Sequence, residues 1–353
     1  MNALKNIDRI QMTNEVIMLL LSLYENKGKS FYYDDLFSRD QSVYFRQTQA
    51  LDLYYLGKCL DLQMTDARLK LFSKKKMTAR TKDEYLFNNL KTAYIQLKKN
   101  PDDFELLVNE VGNLIKLLSY QYESITFNTY EALDDGLLKM KKHSKKEDLE
   151  KLFELYQKTL KSQKVELTQL MINLYVDMEN SELVSQHGDL ISLILLYALI
   201  IRDFSVFKYV SFFKYFYKIY DAWKQATVTA SYYWSQGFAQ TDMLHRLLIH
   251  LLIDAYDELD QFAHEYDFEK GLNKSDNLEN SILKMPDIFT KNDLRKRHPN
   301  VSDATIDRTL KRLKDENKIR PLGKGRSTNW QRIITGNQKL STSQLSLFDD
   351  DES

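Results

Sequence analysis

Residues 286–334 read PDIFTKNDLRKRHPNVSDATIDRTLKRLKDENKIRPLGKGRSTNWQRII, and this stretch decides the fold of the C-terminal part of the chain. Thr290 can cap a helix over residues 291–297, which must end before the proline that follows because proline lacks a backbone N–H. Ser302 can cap a second helix over residues 303–314. The sequence therefore predicts two short helices joined by a tight turn.

Short extended segments surround these helices. Residues 289–290 end one, and residues 318–320 and 330–333 are typical of two more. The glycine-rich, basic segment 322–329 predicts a turn between the last two strands. This order is the pattern of a winged helix-turn-helix, in which the second helix enters the major groove of DNA.

The second helix has one apolar stripe. Ile306, Leu310 and Leu313 follow the i, i+4, i+7 spacing and are predicted to face inward. Four polar residues are predicted to face outward, and these, together with two cations of the basic turn, are the predicted DNA contacts: Thr305, Arg308, Thr309, Arg312, Lys324 and Arg326.

Charge is distributed unevenly along a chain that is neutral as a whole. Residues 285–334 carry 13 Lys and Arg against 6 Asp and Glu, a net charge of +7, whereas residues 1–284 carry 36 against 40, a net charge of −4. A basic module on an otherwise acidic chain indicates a nucleic-acid binder. Use of the same module for protein contacts or dimerisation is the alternative, and we weigh it below DNA binding.

The composition indicates a mainly α-helical protein. At 353 residues the chain is long enough for two domains and a tail. Its one cysteine, Cys59, rules out a disulfide framework and fits a reducing cytoplasm. The N-terminal residues predict no signal peptide. The longest apolar run, residues 190–201, has 12 residues, whereas a membrane span needs about 20. We expect a cytoplasmic protein with no membrane partner.

Apolar periodicity and capping residues predict most of the helices. They are expected over residues 13–28, 42–60, 82–99, 104–122, 148–160, 165–178, 190–201 and 241–264. Residues 206–223 are dense in aromatic side chains, which are expected to belong to the core. Residues 33–38 are expected to be irregular, and residues 267–276 to link two domains. The predicted organisation is a helical domain over residues 1–270, a winged helix-turn-helix over residues 277–334 and a disordered tail over residues 335–353.

Several stretches resemble the Fic family with a C-terminal winged helix. Thr65-Asp66 and residues 80–84 resemble its N-terminal helical segment, and residues 208–214 resemble the tyrosine-valine-serine-leucine segment after its catalytic helix. Residues 232–262 resemble its closing helices, and the C-terminal module described above resembles its winged helix. The resemblance implies a helical fold that in active members transfers AMP to a hydroxyl group.

The motif that this chemistry requires, HPFx[D/E]GN[G/K]R, is missing. Its place is residues 178–189, which read MENSELVSQHGD and contain one glycine and one histidine. A phosphate nest needs successive amides in a glycine-rich turn. Residues 57–61, which match the family's inhibitory segment, keep at most Asp61. We therefore expect no AMP-transfer activity and assign no catalytic residue and no cofactor.

Other candidate chemistry is weaker. His250 and Asp254 have i, i+4 spacing beside His245, but no further ligand cluster flanks them, so we expect structural histidines and no metal site. His187 beside Asp189 is interpreted as a surface pair without a nucleophile. Cys59 is expected to be a helix residue.

The tail contains one apolar island, residues 344–348, followed by DDDES. It resembles the short motif by which bacterial polymerases and repair proteins bind the sliding clamp, and its predicted docking residues are Gln344, Leu345, Leu347 and Phe348. A chance hydrophobic anchor that packs on the protein itself is the alternative.

The sequence thus favours a non-catalytic, Fic-like regulator that binds double-stranded DNA and docks on the sliding clamp. Two alternatives stay open: an AMP transferase with a divergent site around His187, and a protein-interaction module. The sequence is compatible with a monomer and with a homodimer.

Overall fold

A computed structural model describes residues 2–38, 40–133, 140–271, 274–298, 301–323 and 328–333. The chain divides into two compact units, Met1–Asp260 and Gln261–Ser353. The predicted mainly α-helical fold is confirmed.

Helices make up most of the first unit. They are α1 (Asn2–Lys5), α2 (Asn14–Gly28), α3 (Ser30–Leu36), α4 (Gln41–Cys59), α5 (Asp66–Lys74), α6 (Lys82–Lys99), α7 (Val108–Ser119), α8 (Lys145–Ser162), α9 (Leu167–Asn180), α10 (Gly188–Asp203), α11 (Phe212–Ser231) and α12 (Asp242–Gly271). Strands β1 (Thr129–Leu133) and β2 (Met140–Ser144) form an antiparallel pair between α7 and α8.

Side-chain caps set the beginnings of several helices. The hydroxyl of Thr13 accepts from the amide of Val16, and that of Thr81 accepts from the amide of Glu84. These contacts satisfy backbone donors that have no partner within the helix. The predicted bounds 82–99 are confirmed because both signals, the threonine cap and the Asn-Pro stop, are local.

Helix α10 forms the centre of the first unit. Every residue from Leu190 to Ile201 is buried, as expected for a helix that is apolar on all sides. The interpretation of this run as a buried helix is confirmed. Among the described residues, none of the helices is long and apolar enough to cross a membrane.

The aromatic segment after α10 also belongs to the core. Phe207, Phe212, Phe213 and Phe216 are almost fully buried, and the rings of Phe212 and Phe216 stack with centroids 5.6 Å apart. The segment is not one continuous helix. A short 3-10 turn ends at Lys208, and α11 begins after Ser211, whose hydroxyl caps it.

One expectation, for residues 33–38, is wrong, and the predicted linker has regular structure. Residues 33–38 are not irregular, since α3 runs through Leu36, and it buries Tyr33 against the core. The segment predicted to link the domains is helical up to Gly271 and again from Lys274. A lapse in apolar periodicity therefore did not mark the end of a helix.

Apart from the end of α12, the described part of the second unit contains three further helices and three short strands. They are α13 (Lys274–Leu283), β3 (Ile288–Thr290), α14 (Lys291–Arg297), α15 (Asp303–Asp315), β4 (Ile319–Pro321) and β5 (Asn329–Arg332). The strands form an antiparallel sheet in the order β3-β5-β4, with Trp330 opposite both Phe289 and Pro321. The predicted bounds of α14 are confirmed, and those of α15 are confirmed to within one residue.

One apolar core holds the second unit together. It contains Leu278, Ile282, Met285, Phe289, Leu294, Ile306, Leu310, Leu313 and Ile319. The inward stripe predicted on α15 is confirmed. The sequence reasoning did not predict α13, which supplies Leu278 and Ile282 to this core.

Candidate functional site

Local contacts fix the two helices of the second unit. Thr290 and Asp293 form a reciprocal capping box at the start of α14, in which the Thr290 amide donates to the Asp293 carboxylate at 2.7 Å. The Ser302 hydroxyl caps α15 by accepting from the Thr305 amide. Arg295 of α14 then binds Asp303 of α15, with Nε 2.6 Å from Oδ1. This ion pair therefore connects the two helices on either side of the turn.

Two of the predicted DNA contacts lie at the surface of α15. Arg308 is exposed, and Thr305 is half-buried in the first turn, with its hydroxyl 2.9 Å from that of Ser302.

The prediction that Thr309 faces outward is wrong. Its side chain is 1% exposed, and its hydroxyl donates to the carbonyl of Thr305 at 2.9 Å. Position 309 follows Ile306 by three residues and precedes Leu313 by four, so helical geometry places it on the apolar stripe.

The outward orientation predicted for Arg312 is also wrong. Its guanidinium is half-buried and donates to Glu279 of α13 at 2.6 Å and to Glu316 at 3.2 Å. The cause is helix α13, which was not predicted from the sequence. It places the carboxylate of Glu279 against this face of α15. The side chain of Lys318 pairs with the same two carboxylates.

Lys311 was not predicted as a contact, although it is exposed three residues beyond Arg308, on the same helical face. Within the described part of the chain, neither Arg308 nor Lys311 has an ion-pair partner. Several other described cations of the unit form ion pairs. These pairs include Lys291–Asp307, Arg295–Asp303, Arg312–Glu279, Lys318–Glu316 and Arg332–Asp287.

The remaining residues predicted to bind a partner belong to the basic turn and to the tail. Lys324 and Arg326 of the basic turn lie outside the described residues. The same holds for the tail residues Gln344, Leu345, Leu347 and Phe348.

In the first unit, the loop between α9 and α10 lies within residues 178–189, the stretch that the sequence analysis compared with the catalytic motif. Its backbone is engaged by the chain itself. The amide of Ser185 donates to the carbonyl of Thr126 at 2.9 Å, and the side chain of Asn128 donates to the carbonyl of Val184 at 2.8 Å. This loop therefore lies along residues 124–128.

A cleft of about 880 Å³ opens beside the first turn of α10. It is lined by Lys58, Cys59, Leu60, Asp61, Leu62, Asp83, Leu86, Tyr122, His187, Asp189, Leu190, Tyr217, Lys218, Tyr220, Asp221 and Lys224. The two stretches singled out in the sequence, residues 57–61 and 178–189, thus meet at one cleft, although they lie far apart along the chain.

His187 stands at the beginning of α10 in the left-handed conformation, with φ of 57°. Its Nε2 is 3.1 Å from the hydroxyl of Tyr122, and the two rings are 5.4 Å apart. This ring nitrogen is therefore already engaged within the chain.

The other candidate residues have structural surroundings. His245 is buried, with Nε2 2.8 Å from the hydroxyl of Thr168 and 3.2 Å from a carboxylate oxygen of Glu166. Burial raises the pKa of the Cys59 thiol to about 12, which keeps it protonated and a poor nucleophile. Over the described ranges, no group of three or more His, Cys, Asp and Glu residues could hold a metal ion.

The chain has the fold of Fic family proteins. It is similar to the crystal structure of a Fic family protein from Desulfovibrio desulfuricans, with a TM-score of 0.55 and 11% identity over 93% of this chain and 99% of that one. It is also similar to a signalling protein from Bacteroides thetaiotaomicron that contains a Fic domain, with a TM-score of 0.52 and 11% identity over 69% and 98% of the two chains. No protein-family model and no curated protein matches the sequence.

Proposed function

We propose that this protein is a DNA-binding regulator built on a Fic-like scaffold, and that its second unit is a winged helix whose helix α15 binds the major groove. One observation carries the proposal: Arg308 and Lys311 are exposed on one face of α15 and have no ion-pair partner in the described part of the chain, whereas Lys291 and Arg312 form ion pairs. Lysine and arginine side chains that are free on a recognition helix can meet phosphates and base edges without first losing a partner.

The surroundings of α10 support a role without nucleotide transfer. A phosphate nest needs consecutive amides that point into one turn, and in this loop the positive-φ residues Glu182 and His187 lie five positions apart. The Ser185 amide is already used by Thr126. The lining of the cleft, with four aspartates against three lysines, also repels a triphosphate.

The double substitution Arg308→Gln and Lys311→Gln tests DNA binding. We expect the affinity of the full chain for duplex DNA to fall roughly tenfold to a hundredfold, and the salt slope to decrease by about one for each lost phosphate contact. Fluorescence anisotropy with a labelled duplex at several salt concentrations measures both. Lys324→Gln with Arg326→Gln is expected to act in the same direction.

The matched control removes two exposed lysines from the first unit, Lys99→Gln with Lys161→Gln. It changes the net charge by the same amount and should leave the affinity unchanged. Equal affinities of both double variants for DNA would contradict the proposal.

We further propose that the tail docks on a DNA sliding clamp. The support is the sequence of residues 344–348, in which two apolar side chains follow a glutamine inside a polar tail. In a pull-down of the full chain with a purified bacterial sliding clamp, Leu347→Ala with Phe348→Ala should abolish retention. Ser341→Ala with Ser343→Ala serves as the control, and equal retention of both variants would refute the docking.

A further inference from the structure

We infer that the cleft beside α10 binds a linear aliphatic polyamine, a chain of methylene groups that carries two or more ammonium groups. The cleft combines carboxylates, tyrosine rings and leucine side chains. Ammonium groups pair with carboxylates and are attracted to aromatic faces, and methylene groups pack on apolar side chains.

The lysines of the cleft are largely occupied. Lys58 pairs with Asp66 at 2.9 Å, and Lys224 pairs with Asp221 at 2.9 Å. The ammonium of Lys218 lies over a tyrosine ring, 4.5 Å from its centroid. The ion pairs of Lys58 and Lys224 offset two of the three lysine charges that would otherwise oppose a cationic ligand, whereas the contact of Lys218 with a neutral ring leaves its charge in place.

Two carboxylates of the cleft remain free for a ligand. In the described part of the chain, the side chains of Asp61 and Asp189 have no hydrogen-bond or ion-pair partner, and both are exposed to the cleft opening. Asp83 accepts one hydrogen bond, from the amide of Gln63 at 2.7 Å. The uncompensated charge of the cleft is therefore negative, which favours a cation.

The side chain of Glu179 supplies a further carboxyl group near the cleft. One oxygen of Glu179 is buried without a hydrogen-bond partner, and the group lies near Asp189. Burial and the charge of Asp189 raise its pKa to about 7, so the group is partly ionised at neutral pH. A bound ammonium near Asp189 would favour the ionised form of Glu179 and so add to the attraction.

The inference does not depend on DNA binding by the second unit. Calorimetric titration of the full chain, free of nucleic acid, with spermidine tests it. Asp61→Asn with Asp189→Asn should weaken spermidine binding roughly tenfold, the loss expected for two solvent-exposed ion pairs. The control Asp102→Asn, an exposed aspartate outside the cleft, should leave the affinity unchanged.

Three further titrations test the inference, with a tail variant, with an uncharged ligand and with ATP. Asp349→Asn, Asp350→Asn and Asp351→Asn together neutralise the acidic tail and should not alter the affinity, so a loss of binding in this variant would overturn the inference. The uncharged 1,6-hexanediol should not bind, and binding as tight as that of spermidine would overturn it. Binding of ATP in place of spermidine would refute both this inference and the absence of nucleotide transfer, while leaving the DNA titration to be judged separately.

Discussion

Replacement of Asp52 by alanine is expected to lower the free energy of unfolding of the first unit by roughly 3–5 kcal/mol. Asp52 is fully buried and lies at the junction of α4, α6 and α11. Its carboxylate accepts from Lys98 at 3.1 Å, Tyr94 at 2.5 Å, the hydroxyl of Ser211 at 2.7 Å and the amide of Phe213 at 2.9 Å. Alanine would leave a buried ammonium and three buried donors without their acceptor.

Urea unfolding followed by circular dichroism measures this effect. Lys98 is buried, and burial lowers its pKa, so it loses its charge more readily once the carboxylate is gone. Adding Lys98→Met to Asp52→Ala removes the orphaned ammonium and should recover roughly half of the lost stability. Lys99→Met, at the exposed neighbouring position, should change stability by less than about 0.5 kcal/mol. If Asp52→Ala changed the free energy of unfolding as little as this control, the buried hydrogen bonds of Asp52 would not stabilise the fold.

The second large loss of stability is expected on replacement of Glu166, whose side chain caps α9. Its carboxylate accepts from the hydroxyl of Tyr24 at 2.6 Å and from the amides of Thr168 and Gln169 at 2.9 and 2.7 Å. Burial alone would raise its pKa, but these hydrogen bonds and that of His245 outweigh burial and lower the pKa to about 2. The folded state therefore favours the ionised carboxylate.

The sign of the pH dependence follows from this shift. A carboxylate with a depressed folded pKa contributes stability that is fully present above the unfolded pKa, about 4.5, and is lost as pH falls toward 2. Glu166→Gln should cost about 2–3 kcal/mol at pH 7 and should flatten the loss of stability between pH 4.5 and 2.

Unfolding in a Trp330→Phe background, followed by tryptophan fluorescence, reports on the first unit, because the other two tryptophans, Trp223 and Trp234, lie there. Glu150→Gln, at an exposed position of α8, is the matched control and should leave the pH profile unchanged. If the free energy of unfolding fell equally between pH 4.5 and 2 in Glu166→Gln and in the unmodified chain, the Glu166 cap would contribute no pH-dependent stability.

Most helices were predictable because their signals are local. The Thr81 cap and the Asn-Pro stop act within a few residues, and they predicted α6 to the residue. The same holds for α14, where a threonine caps the first turn and a proline follows the last. The end of α12 was missed, since apolar periodicity lapses there in the sequence.

The candidate DNA interface was predicted in part. Periodicity identified the inward stripe of α15. The orientations of Thr309 and Arg312 could not be predicted in the same way, because they depend on what packs beside these residues. Thr309 is covered, and Arg312 is held by Glu279, a residue 33 positions earlier in the chain. Lys311 has no ion-pair partner in the described part of the chain, whereas the adjacent Arg312 pairs with Glu279.

The sequence by itself determined where most helices begin and end, the uneven distribution of charge and the absence of the motif for AMP transfer. These features depend on residue types and on contacts within about one helical turn. Only the tertiary structure decided which cations are free and that Asp61 and His187 line one cleft. Those outcomes depend on groups that are distant in sequence, and their approach is set by the packing of the whole fold.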